Sequence, residues 1–139
     1  DTAVDAAFDN NGNVVSIGTA NFGDIRMTAE NFVLATGSFF SKGMVATPEK
    51  VYEPVFGLDL IYGEKRENWF DRNFWNRQEY VSYGAKVNSR LNPSINNTPV
   101  GNLYVIGSLL GGGNALYEGS GGGTAIISAL AAADAILEK

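Results

Sequence analysis

Apolar and polar positions follow two patterns in this chain. Thr2–Phe8 alternates weakly and runs into Asp9-Asn10-Asn11-Gly12-Asn13, a hairpin turn, because Asn and Gly tolerate positive φ. Val14–Ile17 is the return strand this predicts, Gly18–Gly23 a second turn region and Asp24–Thr28 a third short strand. The three make an antiparallel meander whose apolar face must lie against something else. Asn31-Phe32-Val33-Leu34-Ala35-Thr36-Gly37 differs in kind, being a nearly continuous apolar run that ends in small residues. Such a run reads as a strand buried on both faces of a parallel sheet. Asn102–Gly107 has the same character, and it too ends in glycine. We expect these two strand ends to pair, because ligands bind at the C-terminal edge of open α/β sheets.

The remaining segments are less regular. Ser38–Lys50 reads as loop with a short helical piece. Tyr52–Pro99 is dense in aromatics, and the i, i+4 spacing of Phe70 and Phe74 predicts a short helix over Glu67–Asn76 with its aromatic face inward. The Trp69–Trp75 cluster is expected in the core rather than around a ligand; Val81–Val87 could be a strand and Leu91–Pro99 a polar loop. In the closing helix, Ala125–Glu138, one face carries Ile126, Ile127, Leu130, Ala133, Ile136 and Leu137, and alanines cover much of the rest. That helix is expected to be largely buried, each large aliphatic contributing about 1.5–3 kcal/mol. The fold class is therefore α/β, a mixed α+β arrangement. Its divisions are 1–50 (meander and first buried strand), 51–100 (irregular aromatic segment) and 101–139 (second buried strand, glycine loop and Ala-rich helix).

Composition removes several chemistries. A chain of 139 residues with 45% hydrophobic and 18% charged residues can fold as one domain with a modest core. Its net charge of −5, with no basic stripe, argues against nucleic acid as a partner. No cysteine means no disulfide, thiolate nucleophile or Cys-based metal site, and no histidine removes the commonest general base and transition-metal ligand. No apolar run approaches the roughly 18 residues needed to span a bilayer. The start at Asp1 without Met, already in a strand-like run, leads us to expect a piece of something longer.

Glycine carries the candidate chemistry. Gly111–Gly113 and Gly119–Gly123 bracket one short segment directly after a buried strand, and the second cluster opens the closing helix. First-turn N–H groups have no intrahelical partner and sit at the positive end of the helix dipole, and glycine lets a ligand approach them. Simple turn geometry explains the glycines equally well at this point. No Lys follows the last glycine, which argues against a Walker-type phosphate loop. Ala35-Thr36-Gly37 alone could merely ease a chain crossing. Glu118 by default faces solvent, as do Arg66, Arg72, Arg77, Lys86 and Arg90, one or two of which could receive an anionic substrate.

Glu30-Asn31-Phe32-Val33-Leu34-Ala35-Thr36-Gly37-Ser38-Phe39-Phe40-Ser41-Lys42-Gly43 resembles the Ala-Thr-Gly segment of two-dinucleotide-binding-domain flavoproteins. Asn102–Ser108, with the glycines and Ala-rich helix that follow, is similar to their C-terminal flavin-binding segment. Within that group the nearer resemblance is to the B-subunit family of anaerobic glycerol-3-phosphate dehydrogenase. It is carried by Glu53-Pro54-Val55-Phe56-Gly57-Leu58-Asp59, Gly107-Ser108-Leu109-Leu110-Gly111-Gly112 and Glu118-Gly119-Ser120-Gly121-Gly122-Gly123-Thr124-Ala125-Ile126. The last two are the more telling combination.

The resemblance implies part of a Rossmann-like FAD/NAD(P)-binding fold with FMN or FAD as cofactor. It implies oxidation of sn-glycerol 3-phosphate to dihydroxyacetone phosphate, with quinone reached indirectly in anaerobic respiration. The partners implied are other subunits of a glycerol-3-phosphate dehydrogenase complex and the missing N-terminal part of the same chain. The location implied is cytoplasmic, peripheral to the inner face of the cell membrane through those subunits. Carried onto this chain, Ala35, Thr36 and Gly37 lie near the phosphate or ribityl end of the flavin, Gly107 and Ser108 at the ribityl chain, and Gly122, Gly123 and Thr124 at the pyrimidine edge of the ring. Many relatives carry Asp where Ser108 stands, which weakens one acceptor here. The Gly-x-Gly-x-x-Gly unit that receives flavin phosphates in this superfamily is not among these residues, so alone they are expected to hold flavin poorly and to be inactive. The catalytic base stays unassigned. A fumarate-reductase-like flavoprotein remains an alternative, although its expected His is lacking, as does a non-catalytic interaction module that keeps the fold.

Overall fold

The structure, a computed structural model, describes residues 1–138. Its N-terminal part is a three-stranded antiparallel sheet in the order β1 (Ala3–Phe8), β2 (Val14–Thr19), β3 (Arg26–Met27). The turn between β1 and β2 is closed by Asp9, whose carboxylate accepts the N–H groups of Asn11 and Asn13 at 2.9 and 2.8 Å, with Gly12 at φ +80°. One face of the sheet turns inward, led by Val14 and Ser16, as the alternation predicts.

The two glycine-ended runs pair as expected. β4 (Phe32–Leu34) lies parallel to a strand formed by Leu103–Val105, with Leu103 opposite Phe32 and Val105 opposite Leu34. Between them come three short antiparallel pairs: β5 (Val45–Ala46) with β6 (Val51–Tyr52), β7 (Leu60–Ile61) with β8 (Gly84–Ala85), and β9 (Ser94–Ile95) with β10 (Thr98–Pro99). Leu103–Val105 is thus β11. It is buried along its whole length, whereas β4 is buried on one side only because Val33 points outward. The reading of both strands as doubly covered therefore holds for β11 alone.

One side chain knits the sheets together. The Asn102 amide, just before β11, accepts the Val14 N–H at 2.9 Å and donates to the carbonyls of Val14 and Glu30 at 2.7 and 3.1 Å. The edge of β2 and the entry to β4 are thereby fastened to β11.

Three expectations are corrected. Glu67–Asn76 is no helix: a single 3-10 turn spans Arg66–Asn68, followed by loop. Trp69 is core, packed edge-to-face on Tyr62 and Tyr83, but Phe70, Phe74 and Trp75 are exposed. Tandem Asx turns at Asp71 and Asn73, each carboxylate or amide oxygen accepting the N–H two residues on, compete with helical bonding there. Second, Val81–Val87 splits into a 3-10 turn, Glu79–Ser82, and the two-residue β8. Third, the closing helix begins earlier and buries the opposite face from the one expected. After a one-turn α1 (Ala115–Glu118), α2 spans Gly121–Leu137 and buries Ser128, Ala132 and Ala135, while Ile126, Ile127, Leu130 and Leu137 are exposed. Ala132 and Ala135 of α2 pack into one buried cluster with Tyr104, with the half-buried Ile136 beside them. Because α2 is apolar nearly all round, periodicity could not choose between its faces.

Candidate functional site

The parallel pair delivers both glycine ends to one edge, and the start of α2 joins them there. Gly37 adopts φ +76°, and a Cβ built on it would collide with the Ser41 side chain and stand 3.5 Å from Ser108 Oγ. Ala35-Thr36-Gly37 and Gly107-Ser108 are therefore neighbours across the edge. Ser128, midway along α2, links the second of these to the helix: its Oγ accepts the Gly107 N–H at 2.9 Å and donates to the Thr124 carbonyl at 2.6 Å. The eight residues singled out from the sequence thus fall at three adjoining points: the ends of β4 and β11 and the first turn of α2.

They do not all have the character assumed for them. Gly121, Gly122 and Gly123 are the first turn of α2 itself and not a loop before it, with Ser120 making no side-chain cap. Nothing lies within 4 Å of a Cβ built on Gly122, Gly123 or Gly107, so approach to their backbone is open. Gly37 is different, because its missing side chain accommodates Ser41. Gly43 packs directly on the Gly37 carbonyl, which leaves this turn no room for side chains. Ser108 is exposed. Thr36 Oγ1 is shut away from solvent with no hydrogen-bond partner. The set accordingly fits an anionic or carbonyl-bearing ligand through the first-turn N–H groups of Gly122 and Gly123, bare glycine backbone and one orphaned hydroxyl, while the N–H groups of Thr124 and Gly107 are taken by the Ser120 carbonyl and Ser128 Oγ.

Other candidates prove structural. Gly111 belongs to a backbone-to-backbone contact: its N–H reaches the Ala85 carbonyl at 3.2 Å, and a Cβ on Gly84 would meet Gly111 Cα at 2.7 Å. Glu118 is exposed and accepts from Asn114 N–H and Ser120 Oγ, each at 3.3 Å. Arg66 lies over the Trp69 ring and donates to the Thr47 carbonyl at 2.8 Å. Lys86 binds the Asn97 amide oxygen at 3.2 Å, and Arg90 donates to the Ala135 carbonyl at 2.7 Å, closing the C-terminal end of α2. Sequence reasoning passed over Ser128 and Asn102. A lone Ser in an Ala-rich helix and an Asn entering a buried strand were the available signals.

Two clefts flank this edge and its opposite. One of about 430 Å³ is walled by Tyr62, Asn68, Glu79, Tyr83 and Gly112, which puts it on the glycine loop after β11. Burial pushes the Tyr83 phenol above its usual 10.0; a backbone hydrogen bond from Gly63 works against this and the Glu79 charge adds to it. A larger open cleft of about 660 Å³ includes Glu30 and Asn102, the residues that enter β4 and β11, so it lies at the other end of the parallel pair.

The family model described as "FAD binding domain" matches residues 4–124. The chain is 39% identical over 134 residues to the B-subunit of anaerobic glycerol-3-phosphate dehydrogenase from Vibrio vulnificus, covering 95% of the chain and 31% of that protein. To the proteins of the same name it is 43% identical over 116 residues in Pectobacterium carotovorum (84% and 28% covered) and 42% over 144 residues in Haemophilus influenzae (100% and 33%). The chain therefore spans about a third of the length of these relatives. No solved structure matches it. The family match runs from β1 through both glycine-ended strands to Thr124 in the first turn of α2, and the chain belongs to the FAD binding domain family of flavoproteins.

Proposed function

We propose that this chain forms one wall of the flavin site in a subunit of a glycerol-3-phosphate dehydrogenase, oxidising sn-glycerol 3-phosphate to dihydroxyacetone phosphate and passing electrons onward to quinone through sister subunits. The observation that carries the reading is the convergence of Gly37, Ser108 and the Ser128-braced first turn of α2 at one edge of the parallel pair. Thr36, Gly37, Gly107 and Ser108 would line the ribityl and phosphate end, with Ala35 leading into that turn. The N–H groups of Gly122 and Gly123 would face the pyrimidine edge of the ring, with Thr124 beside them, its own N–H bonded to the Ser120 carbonyl at 2.8 Å.

A bound flavin supplies the hydride acceptor; the chain's own part is to bind it and set its surroundings. A helix N-terminus stabilises neighbouring negative charge by up to about 2 kcal/mol. For a two-electron couple that is a rise of roughly 40 mV, enough to tune the cofactor but not to drive the reaction. The cleft beside Gly112 offers a carboxylate, an amide and a phenol, groups suited to hydroxyls. Among the described residues no cation lines it, so the substrate phosphate needs a donor from elsewhere. No helix among the described residues is long and apolar enough to cross a membrane.

The test is flavin titration of the full-length protein, wild type against Gly123→Glu. An acidic residue in the first turn suits the helix dipole, so the fold is retained while the carboxylate occupies the open backbone face. Affinity is expected to fall at least about tenfold. Equal affinity with an unchanged flavin spectrum would remove Gly123 from the site.

A further inference from the structure

We propose that Ser128 is a positioning residue for the flavin. Its buried hydroxyl fixes the first turn of α2 against the end of β11, and so sets how tightly flavin is held and how far its reduced form is stabilised. The inference rests on the flavin reading above.

A serine hydroxyl inside a helix ordinarily turns back to the carbonyl one turn earlier and goes no further. Ser128 shares its proton between two such carbonyls, that of Thr124 at 2.6 Å and that of Ala125 at 3.2 Å. Its oxygen is left as an acceptor and takes the Gly107 N–H at 2.9 Å, a partner on a different element. Ser128 is only 6% exposed, so water is a poor substitute for any of the three. Gly107 is where the chain turns away after β11, with φ +69°, and Ser108 follows it directly. One hydroxyl therefore joins the helix to the strand end at the place where Ser108 meets Gly37.

The first turn of α2 needs such an anchor. Gly121, Gly122 and Gly123 fill it, glycine being the poorest helix former after proline, and Ser120 supplies no side-chain cap. The packing of Ala132 and Ala135 with Tyr104, and the bond from Arg90 to the Ala135 carbonyl at 2.7 Å, fix the later part of the helix and its far end. Ser128 stands about 7–9 Å along the axis from Gly122 and Gly123, nearer than either of those contacts. A turn made of glycines keeps its place only if the residues behind it are held. That bond therefore aims the amides of Gly122 and Gly123, and with them the positive end of the helix dipole.

The experiment compares wild type, Ser128→Ala, Ser128→Cys and Arg90→Ala in the full-length protein, by flavin titration, redox titration of the bound flavin and thermal melts. Ser128→Ala is expected to weaken flavin binding at least about tenfold. Its midpoint potential should move to more negative values, because the dipole is less well aimed at the reduced ring. Ser128→Cys keeps the volume and a weak acceptor, and should fall between that variant and wild type. Arg90→Ala, at the other end of the same helix, loses stability but keeps wild-type affinity and potential. Two results each overturn the proposal. One is a folded Ser128→Ala protein, or Ser128→Cys if the alanine variant does not fold, whose flavin keeps wild-type affinity or potential. The other is an Arg90→Ala protein whose flavin binding falls as far as that of Ser128→Ala, which makes Ser128 a stability residue alone. A wild-type protein that takes up no flavin removes the flavin reading itself, and this role of Ser128 with it.

Discussion

At the scale of single residues, small polar side chains do more than their size suggests. Ser128 accepts the Gly107 N–H and returns its own proton to the preceding turn of α2. Ser128→Ala takes that acceptor away from an amide near the core, and we expect a loss of about 1–3 kcal/mol in denaturant unfolding. Asn102→Ala removes three bonds at once and should cost about 2–4 kcal/mol by the same measurement, since each is worth about 1 kcal/mol. Asp59 gives a pH-dependent case. Burial raises its pKa, but hydrogen bonds from Asn97, Ser94 and Asn96 and the charge of Lys86 outweigh this and hold it below its usual 3.8. A carboxyl depressed on folding contributes stability above the unfolded value, and that contribution is lost as pH falls through the folded one. Wild type should therefore be more stable than Asp59→Asn at pH 6, with the gap closing as pH falls below the ordinary 3.8 of a free Asp in a series of thermal melts.

At the scale of elements, α2 shows how packing overrides patterning. Most of its large aliphatics form one apolar stripe and its small residues another, and it is Ala132 and Ala135, with the half-buried Ile136, that pack against Tyr104. Arg90 then fixes the far end of the helix by bonding the Ala135 carbonyl, with Glu138 at 3.8 Å. Arg90→Ala should lower the melting temperature of the protein, corresponding to about 0.5–1.5 kcal/mol, because both a capping bond and a favourable charge at the helix C-terminus are lost. Gly84→Ala tests a second element contact. Its new Cβ would press on the Gly111 backbone, which cannot move aside like a side chain, so β8 should separate from the loop after β11. Overpacking of this kind costs about 1–3 kcal/mol, read as a shift of the unfolding midpoint.

At the scale of the whole molecule, the apolar stripe of α2 and the outward Val33 remain open among the described residues, while relatives of the chain are about three times its length. The two-stranded parallel pair is small for a sheet type that is normally covered on both faces. Much of this architecture was legible beforehand. The hairpin turn at Asp9–Asn13 and the kinship of Asn31–Gly37 with Asn102–Gly107 rest on local chemistry: positive-φ residues in a turn, and apolar runs too continuous for an exposed strand. Because those signals are written in consecutive residues, no knowledge of the partner was needed.

What the sequence by itself determined is thus the inventory of turns, the two buried runs and a helix dipole opening on glycine. Tertiary structure alone decided which face of α2 is inward, because an all-round apolar helix takes its orientation from the surface it meets. It decided that Gly111 serves Gly84 and that Gly37 serves Ser41, because close backbone approaches involve partners far apart or unforeseeable in the chain. It also turned Phe70, Phe74 and Trp75 outward, because Asx turns braced by Gln78 outcompeted the helix their spacing suggested. The glycines at the flavin edge were visible from the start, but only folding showed which of them leave their backbone open to a ligand and which are closed by the protein itself.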